Sequence, residues 1–562
     1  MAKTHNQRTG GQILVDQLRL HGAKFAFGVP GESYLAVLDA LNEVPEVRYV
    51  ICRQEGGAAM MADAYGKLTG QPGICMVTRG PGATNASAGV HIAFQDSTPM
   101  ILLIGQVGRG MQEREAFQEI DYRRMYGQMA KWVAQIDDAE RIPEFMARAF
   151  TVATSGRPGP VVLALPEDML RDRVAVEDAA PYRPNLAHPG PEDMAQFRAL
   201  LAKAKRPLLI LGGTGWTPQG LADIRAFAEA NMLPVAVSFR RQDRFDNSHA
   251  HYAGDVGIGI NPKLQARIQG ADLLIVAGAR LGEMTTNGYS LLNIPRPTQT
   301  FVHIHPGAEE LGRVYQADLP INASLPAFAA AARALAPIKP APWAETVAAA
   351  HRDYRDHVAP PKIRGDLQMG EIMTYLNEAL PPETIVANGA GNYSTWANRF
   401  YSYRAFPSIL GPTSGSMGYG TPAAVAAKIV HPERPVIAFA GDGCFMMNGQ
   451  ELATAAQYGA NIVVLVVNNG MYGTIRMHQE RDYPARVQGT DLANPDFAAL
   501  ARAYGCHGET VARTADFAPA FERAMAAGKP AVIDLHIDPE VITPKATLSE
   551  IRAAALSKKG TA

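Results

Sequence analysis

Two β-branched apolar runs near the C-terminal end of the chain each stop on a short polar motif, and the spacing between them constrains how this region folds. The first run, Pro435-Val-Ile-Ala-Phe-Ala440, ends on Gly441-Asp442-Gly443; the second, Asn461-Ile-Val-Val-Leu-Val-Val467, ends on Asn468-Asn469. Both predict short strands buried on two faces. Between them, residues 448–458 have a polar start, Glu451 in the first turn and Leu452, Ala455 and Ala456 at helical spacing, which predicts one helix. A strand–helix–strand unit of this kind pairs its strands in parallel. Asp442 and Asn469 then leave the sheet at its C-terminal edge, where open α/β sheets bind ligands. A carboxylate beside an amide oxygen suits a hard divalent cation such as magnesium, which takes one or two protein ligands and fills its shell with water and phosphate oxygens. Gly443 keeps that approach clear. Singly, Gly-Asp-Gly and Asn-Asn are ordinary turn chemistry; their pairing on adjacent strand ends is what carries information.

Strand and helix patterns alternate along the whole chain, which predicts an α/β protein of parallel sheets. At 562 residues it exceeds a single core. Pro-rich stretches at 179–191 and 336–342 have the stiff, extended character of linkers. They predict domains over 1–182, 190–336 and 350–540, each doubly wound, followed by a tail over 541–562 with a short helix at 547–556 that serves as a packing arm or a site cover. Fifty-three basic against fifty-four acidic side chains leave no field to attract nucleic acid or an anionic membrane. No apolar run reaches membrane-spanning length, and residues 1–7 lack the apolar core of a signal peptide. The four cysteines, at 52, 75, 444 and 506, have no metal-like or redox spacing, so a reduced, cytoplasmic protein is expected.

The paired strand-end motifs resemble the thiamine diphosphate motif, and nearly the whole chain is similar to the large subunits of acetolactate synthase (acetohydroxyacid synthase). Phe27-Gly-Val-Pro-Gly31, Arg53-Gln-Glu-Gly-Gly57, Gly80-Pro-Gly-Ala-Thr-Asn85, Asp96-Ser-Thr-Pro-Met100, Ala116-Phe-Gln-Glu119 and Gly415-Ser-Met-Gly-Tyr-Gly420 carry the resemblance. It implies three domains of the thiamine-diphosphate-enzyme type. Asp442, Asn469 and the carbonyl of Met471 would hold Mg2+. Gly441, Gly443, Tyr472 and the turn Gly391-Asn392-Tyr393 would lie along the diphosphate. Gly415 would offer its carbonyl to the aminopyrimidine, and Met417 would sit under the bend of the cofactor. Val29, Pro30 and Asn85 would flank the pyrimidine, with Glu55 bonded to that ring to promote its imino tautomer. Phe117 and Gln118 would line the space above the reactive carbon, and Lys131 would help close it. From the residues alone, Phe117 predicts ordinary packing, Gln118 a surface amide, and the lone His91 a structural hydrogen-bonder, with a place facing the same site as its alternative. Family members carry His where Gln54 stands.

The implied reaction is decarboxylation of a 2-oxo acid, with pyruvate favoured, and carboligation to a second carbonyl compound. Two departures bear on the acceptor: the Arg and Trp that select it in the family correspond to Met284 and His478. Losing a guanidinium removes the best carboxylate clamp. A simple 2-oxo acid decarboxylase therefore stays open. So does a flavin-linked enzyme of the pyruvate-oxidase kind, because Gly278-Ala-Arg280 matches a segment that contacts flavin adenine dinucleotide. The resemblance also implies a homodimer or homotetramer with each site between chains, and leaves a regulatory small subunit open.

Overall fold

A computed structural model describes residues 7–560 of the chain; residues 1–6, on which most of the signal-peptide expectation falls, lie outside the described residues. Three six-stranded sheets organise it. The first contains Phe25–Gly28 (β1), Arg48–Ile51 (β2), Gly73–Val77 (β3), Met100–Gln106 (β4), Trp132–Gln135 (β5) and Pro160–Pro166 (β6), in the order β2-β1-β3-β4-β6-β5. The second contains Pro207–Leu211 (β7), Val235–Ser238 (β8), Tyr252–Val256 (β9), Leu273–Ala277 (β10), Thr300–His305 (β11) and Leu319–Asn322 (β12), in the order β9-β8-β7-β10-β11-β12. The third contains Ile385–Asn388 (β13), Ile409–Leu410 (β14), Val436–Gly441 (β15), Val463–Asn468 (β16), His507–Val511 (β17) and Ala531–His536 (β18), in the order β14-β13-β15-β16-β18-β17. Every pairing within these sheets is parallel. The first and third sheets share one strand order, the physical form of the similar alternation in their sequences. Their central strands are apolar up to their last residues, Gln106 and Asn468, because helices cover both faces.

Five helices position the site: Glu55–Thr69 (α1), Pro81–Asp96 (α2), Gly420–Val430 (α3), Asp442–Asn448 (α4) and Glu451–Tyr458 (α5). The helix expected over 448–458 runs over Glu451–Tyr458 with Glu451 in its first turn, but a second helix, not expected, precedes it over Asp442–Asn448. Gly441, extended at φ −75° and ψ 161°, stands before a helix that starts at once on Asp442, and Gly449-Gln450 separates it from α5. An acid at the first helical position is favoured by the helix dipole, which outweighs the turn character of Gly-Asp-Gly. The tail helix runs Leu548–Gly560 (α7) and packs on Gly473–Asp482 (α6), with Arg552 paired to the buried Glu480.

One apolar cluster spans the first and third sheets, joining Phe27 and Cys75 to Ala438 and Val464. At its centre α1 packs against α2 and α3. Small residues make this possible: a methyl group on Gly89 of α2 would stand 2.4 Å from Ala59 Cβ of α1. Lys67 of α1 is buried between two carboxylates, 2.7 Å from Asp63 Oδ2 and in contact with Asp96 Oδ2. The Tyr419 hydroxyl donates to Asp63 at 2.7 Å. The Thr413 amide donates to Asp96 Oδ1 at 2.8 Å, and Arg241 donates to the Asp96 carbonyl at 3.4 Å. All three sheets thus meet at this charge cluster. Burial pushes the Asp63 carboxyl up from its ordinary value against the pull of Lys67. Burial also opposes ionisation of Asp96, but Lys67 and Arg241 outweigh it and hold that carboxyl low.

Replacing Lys67 by Met strands two buried carboxylates and should cost about 3–5 kcal/mol. The folded-state values of both acids then rise, so the charged forms are penalised as pH climbs above the unfolded value. Calorimetric melting should accordingly show a larger deficit at about pH 8 than at about pH 5.

Candidate active site

Register brings the two strand-end motifs together. Gly441 of β15 pairs with Val467 of β16, so Asp442 and Asn468-Asn469 leave the sheet side by side. Asp442 is buried at 3 % exposure. Its Oδ1 accepts from the Gly443 amide at 2.9 Å and its Oδ2 from Asn494 Nδ2 at 2.8 Å. Each carboxylate oxygen keeps a further lone pair for a ligand. The same Asn494 nitrogen donates to Asn468 Oδ1 at 3.1 Å, while Asn468 Nδ2 donates to Asp534 Oδ1 at 3.1 Å. Asn468 therefore braces the turn, and Asn469 is the member of the pair that faces the cavity. Asn494 was not singled out from sequence; Asn494-Pro495-Asp496 signals a turn and a helix start, not a brace for a carboxylate 52 residues away.

The cavity measures about 250 Å³. Asp442, Asn469, Met471, Tyr472, Gly441, Gly443, Gly391, Asn392, Tyr393, Gly415 and Met417 all line it, and Ile537, Val541 and Ile542 from the C-terminal segment add an apolar wall that sequence reasoning missed. Glycines hold its shape. A Cβ at Gly443 would lie 2.5 Å from Tyr472 Cε1, one at Gly441 would lie 2.8 Å from Tyr393 Cδ1, and Gly391 has φ +146°. The Tyr393 hydroxyl is spent on Cys444 Sγ at 3.1 Å, and burial pushes this phenol up. The Asn392 amide donates to Thr474 Oγ1 at 3.0 Å. The carboxylate of Asp442 and the amide of Asn469 beside glycine-walled space suit a divalent cation with a diphosphate.

The remaining six residues sit along the C-terminal edge of the first sheet, and none lines that cavity. Glu55 is the first residue of α1, whose N-cap Gln54 accepts from the Gly57 amide at 3.0 Å. The Glu55 carboxylate is half-buried and accepts from Asn85 Nδ2 at 3.0 Å. The Val29 carbonyl accepts from Tyr34, and Pro30 is exposed. Gln118, at φ +67°, lies against Gly80, where a Cβ would fall 2.7 Å from Gln118 Cβ.

Four expectations are corrected here. Phe117 is 72 % exposed and so is not ordinary packing, and Gln118 is half-buried, not a surface amide. Lys131 stands at the N-terminal end of β5, away from Glu55, with Nζ capping the carbonyls of Val152 and Ser155; burial lowers this amine to about 8. His91 is exposed and lines a second, larger cleft rather than bonding within the core.

That cleft, of about 970 Å³, carries Met284, His478 and Arg280, and it shares Gly391, Asn392, Gly415 and Thr474 with the smaller cavity. Arg280 Nη1 donates to the Gln95 carbonyl at 2.8 Å, and its Nε is 3.5 Å from the buried Glu310. Arg157 and Arg313 reach Glu310 at 2.8 Å each. Burial opposes the charge on Glu310, but the three guanidinium groups outweigh it and hold the carboxyl low.

Family models for the thiamine pyrophosphate enzymes match part of each of the three sheet domains: the N-terminal TPP binding domain over 8–125, the central domain over 194–332 and the C-terminal TPP binding domain over 389–535. Among similar proteins, the acetolactate synthase isozyme 2 large subunit of Escherichia coli (strain K12) is 31 % identical across 94 % of this chain and 95 % of its own length. The acetolactate synthase large subunit of Corynebacterium glutamicum is 33 % identical across 94 % of this chain and 87 % of its own. The acetolactate synthase of Mycobacterium bovis is 32 % identical across 94 % and 88 %. Three parallel sheets, a strand-edge cavity framed by Asp442 and Asn469, and likeness over nearly the full length make this chain a member of the thiamine pyrophosphate enzyme family, in the acetolactate synthase large-subunit group.

Proposed function

We propose that the chain is a thiamine diphosphate- and magnesium-dependent carboligase that decarboxylates pyruvate and joins the two-carbon remainder to a second carbonyl compound, as in acetolactate formation. The observation that carries this reading is the convergence of Asp442, Asn469 and Met471 on one glycine-walled cavity. Those three residues would hold the cation, and the turn at Gly391 would receive the diphosphate. The cofactor, when bound, supplies the acidic ring carbon and the electron sink that decarboxylation needs. Gly415 would accept a hydrogen bond from its amine, and Met417 would support its bend from below.

Glu55 would hold and move the proton on the pyrimidine side. It does not line the cavity of its own chain, which supports a site completed by a second copy: the first-sheet edge of one protomer would face the third-sheet edge of its partner. We propose a cytoplasmic homodimer or homotetramer on that basis, with domain limits at 1–182, 190–336 and 350–540 and a tail at 541–562. Among the described residues no helix is long and apolar enough to cross a membrane, and the four cysteines are free and buried.

One observation favours a second reading of the acceptor. Met284 and His478 face the larger cleft, where neither provides the forked donor that clamps a carboxylate. At those two positions an aldehyde or a proton fits in place of a second 2-oxo acid. Flavin adenine dinucleotide, if bound, would occupy that cleft beside Arg280. A purified protein whose yellow colour bleaches with pyruvate would move the reading to the oxidase kind.

Asp442→Ala should weaken magnesium-dependent cofactor binding by more than about a hundredfold, and Asn494→Ala, which frees the carboxylate it orients, by about tenfold to a hundredfold. Titration calorimetry measures both; unchanged affinity in Asp442→Ala removes the cation assignment. Glu55→Gln should leave that affinity largely intact while lowering turnover by about 10² to 10⁴. Incubation with pyruvate, alone and with other 2-oxo acids or aldehydes, should yield carbon dioxide and a carboligation product in equal amounts. Carbon dioxide with free aldehyde alone identifies a decarboxylase.

A further inference from the structure

Glu451, at the first position of α5, is fully buried and points away from the strand-edge cavity toward the turn that precedes Glu55. Its Oε1 accepts from the backbone amides of Arg53 and Gln54, both at 3.0 Å. Its Oε2 accepts from the Thr454 hydroxyl at 2.6 Å, which fixes the carboxylate rotamer. The rest of the same helix face continues the grip. Gln457 accepts from Arg53 Nη2 at 2.6 Å, and the Tyr458 hydroxyl accepts from the Ile51 amide at 2.8 Å. Gly57 must be glycine here, because a Cβ would lie 2.8 Å from Glu451 Oε1.

The carboxylate therefore lies at two helix N-termini at once, those of α5 and α1. Both dipoles favour a negative charge there, and two amides that α1 cannot satisfy internally find their acceptor. Glu55 is the residue that follows these two amides. Among the described residues its carboxylate is held only by the exposed Asn85, so its position is set by the backbone turn more than by bonds to its own carboxylate.

We propose that Glu451 is a positioning residue for Glu55: a buried carboxylate on the helix that follows the metal-binding motif fixes the turn that aims the pyrimidine-side acid. This rests on the functional reading given above for Glu55. An acid displaced by an ångström loses on the order of a hundredfold in proton transfer while leaving the cavity, and hence cofactor affinity, as it was.

The test uses the full chain loaded with thiamine diphosphate and magnesium. Exchange of the thiazolium C2 proton for deuterium is followed by acid quench and NMR, beside calorimetric cofactor affinity and amide exchange of the peptide over 48–60. Glu451→Ala should slow C2 exchange by about a hundredfold with affinity within a few-fold of the parent, and should deprotect the Arg53 and Gln54 amides. Glu451→Gln, which retains an oxygen for both amides, should recover most of the rate. Thr454→Val keeps the carboxylate, frees its rotamer and should fall between the two, which covers the case in which Glu451→Ala does not fold. Parent-like exchange in folded Glu451→Ala or in Thr454→Val overturns the proposal, as does a Glu451→Gln rate no better than that of Glu451→Ala. Glu55→Gln run in parallel separates the two levels: undiminished exchange there defeats the functional reading itself, whereas a collapse there with no effect at Glu451 defeats only the positioning role.

Discussion

The interlock of α1 with α3 around the buried Lys67 ammonium is the constraint on which both halves of the site depend. Lys67 reaches carboxylates on two helices of the first sheet, and those carboxylates in turn bind Tyr419 and Thr413 of the third sheet. Charges without water are costly unless each finds its counterpart, so the two sheets have one low-energy way to dock. The glycine and alanine faces of α1 and α2 set how closely they do so. Thr413 stands two residues before Gly415, so the cluster also fixes the loop that carries Gly415 and Met417 into the cavity.

Docking two sheets of the same strand order gives the chain two similar C-terminal edges with different chemistry. The third-sheet edge gathers a carboxylate, an amide and glycines, a set suited to a cation and phosphate. The first-sheet edge gathers Glu55, Asn85 and the carbonyl of Val29, a set suited to hydrogen-bonding a ring. The sheets contact each other through helix faces rather than through these edges, which is why the two sets do not meet in one cavity of one chain.

What sequence made legible was local. β15 and β16 announce themselves through β-branched runs, and their parallel pairing follows from the crossover between them, which puts Asp442 and Asn469 on the same edge. Glu55 was placed at a strand–helix junction in the same way. The helix boundary at Asp442 was not legible, because glycine on either side has the composition of a turn and only the packed structure reveals a helix starting there. Nor was the division of labour between Asn468 and Asn469, since adjacent identical residues differ only in which way the strand end turns them. Phe117 is the instructive failure: an aromatic residue in a mixed sequence predicts burial, yet a loop fastened by the bonds of Glu119 to the Glu113 and Ala116 amides holds it outward. The Glu451 contact with Arg53 spans 398 residues and has no local signature at all.

That long-range contact changes how the two edges relate. The segment from Asp442 through α4 to Glu451 is short and helical, so the residue that would grip the cation and the residue that holds the Glu55 turn belong to nearly one rigid piece. In an assembly where Glu55 of one protomer serves the cavity of its partner, this piece touches both sites: its Asp442 end belongs to one and its Glu451 end steadies the acid of the other. Packed interiors transmit small displacements instead of absorbing them. In such an assembly, ordering Asp442 around a cation in one cavity would restrain the acid that serves the second, and the two halves of the fold, separate along the chain and dissimilar in chemistry, would act on each other through the ten residues 442–451.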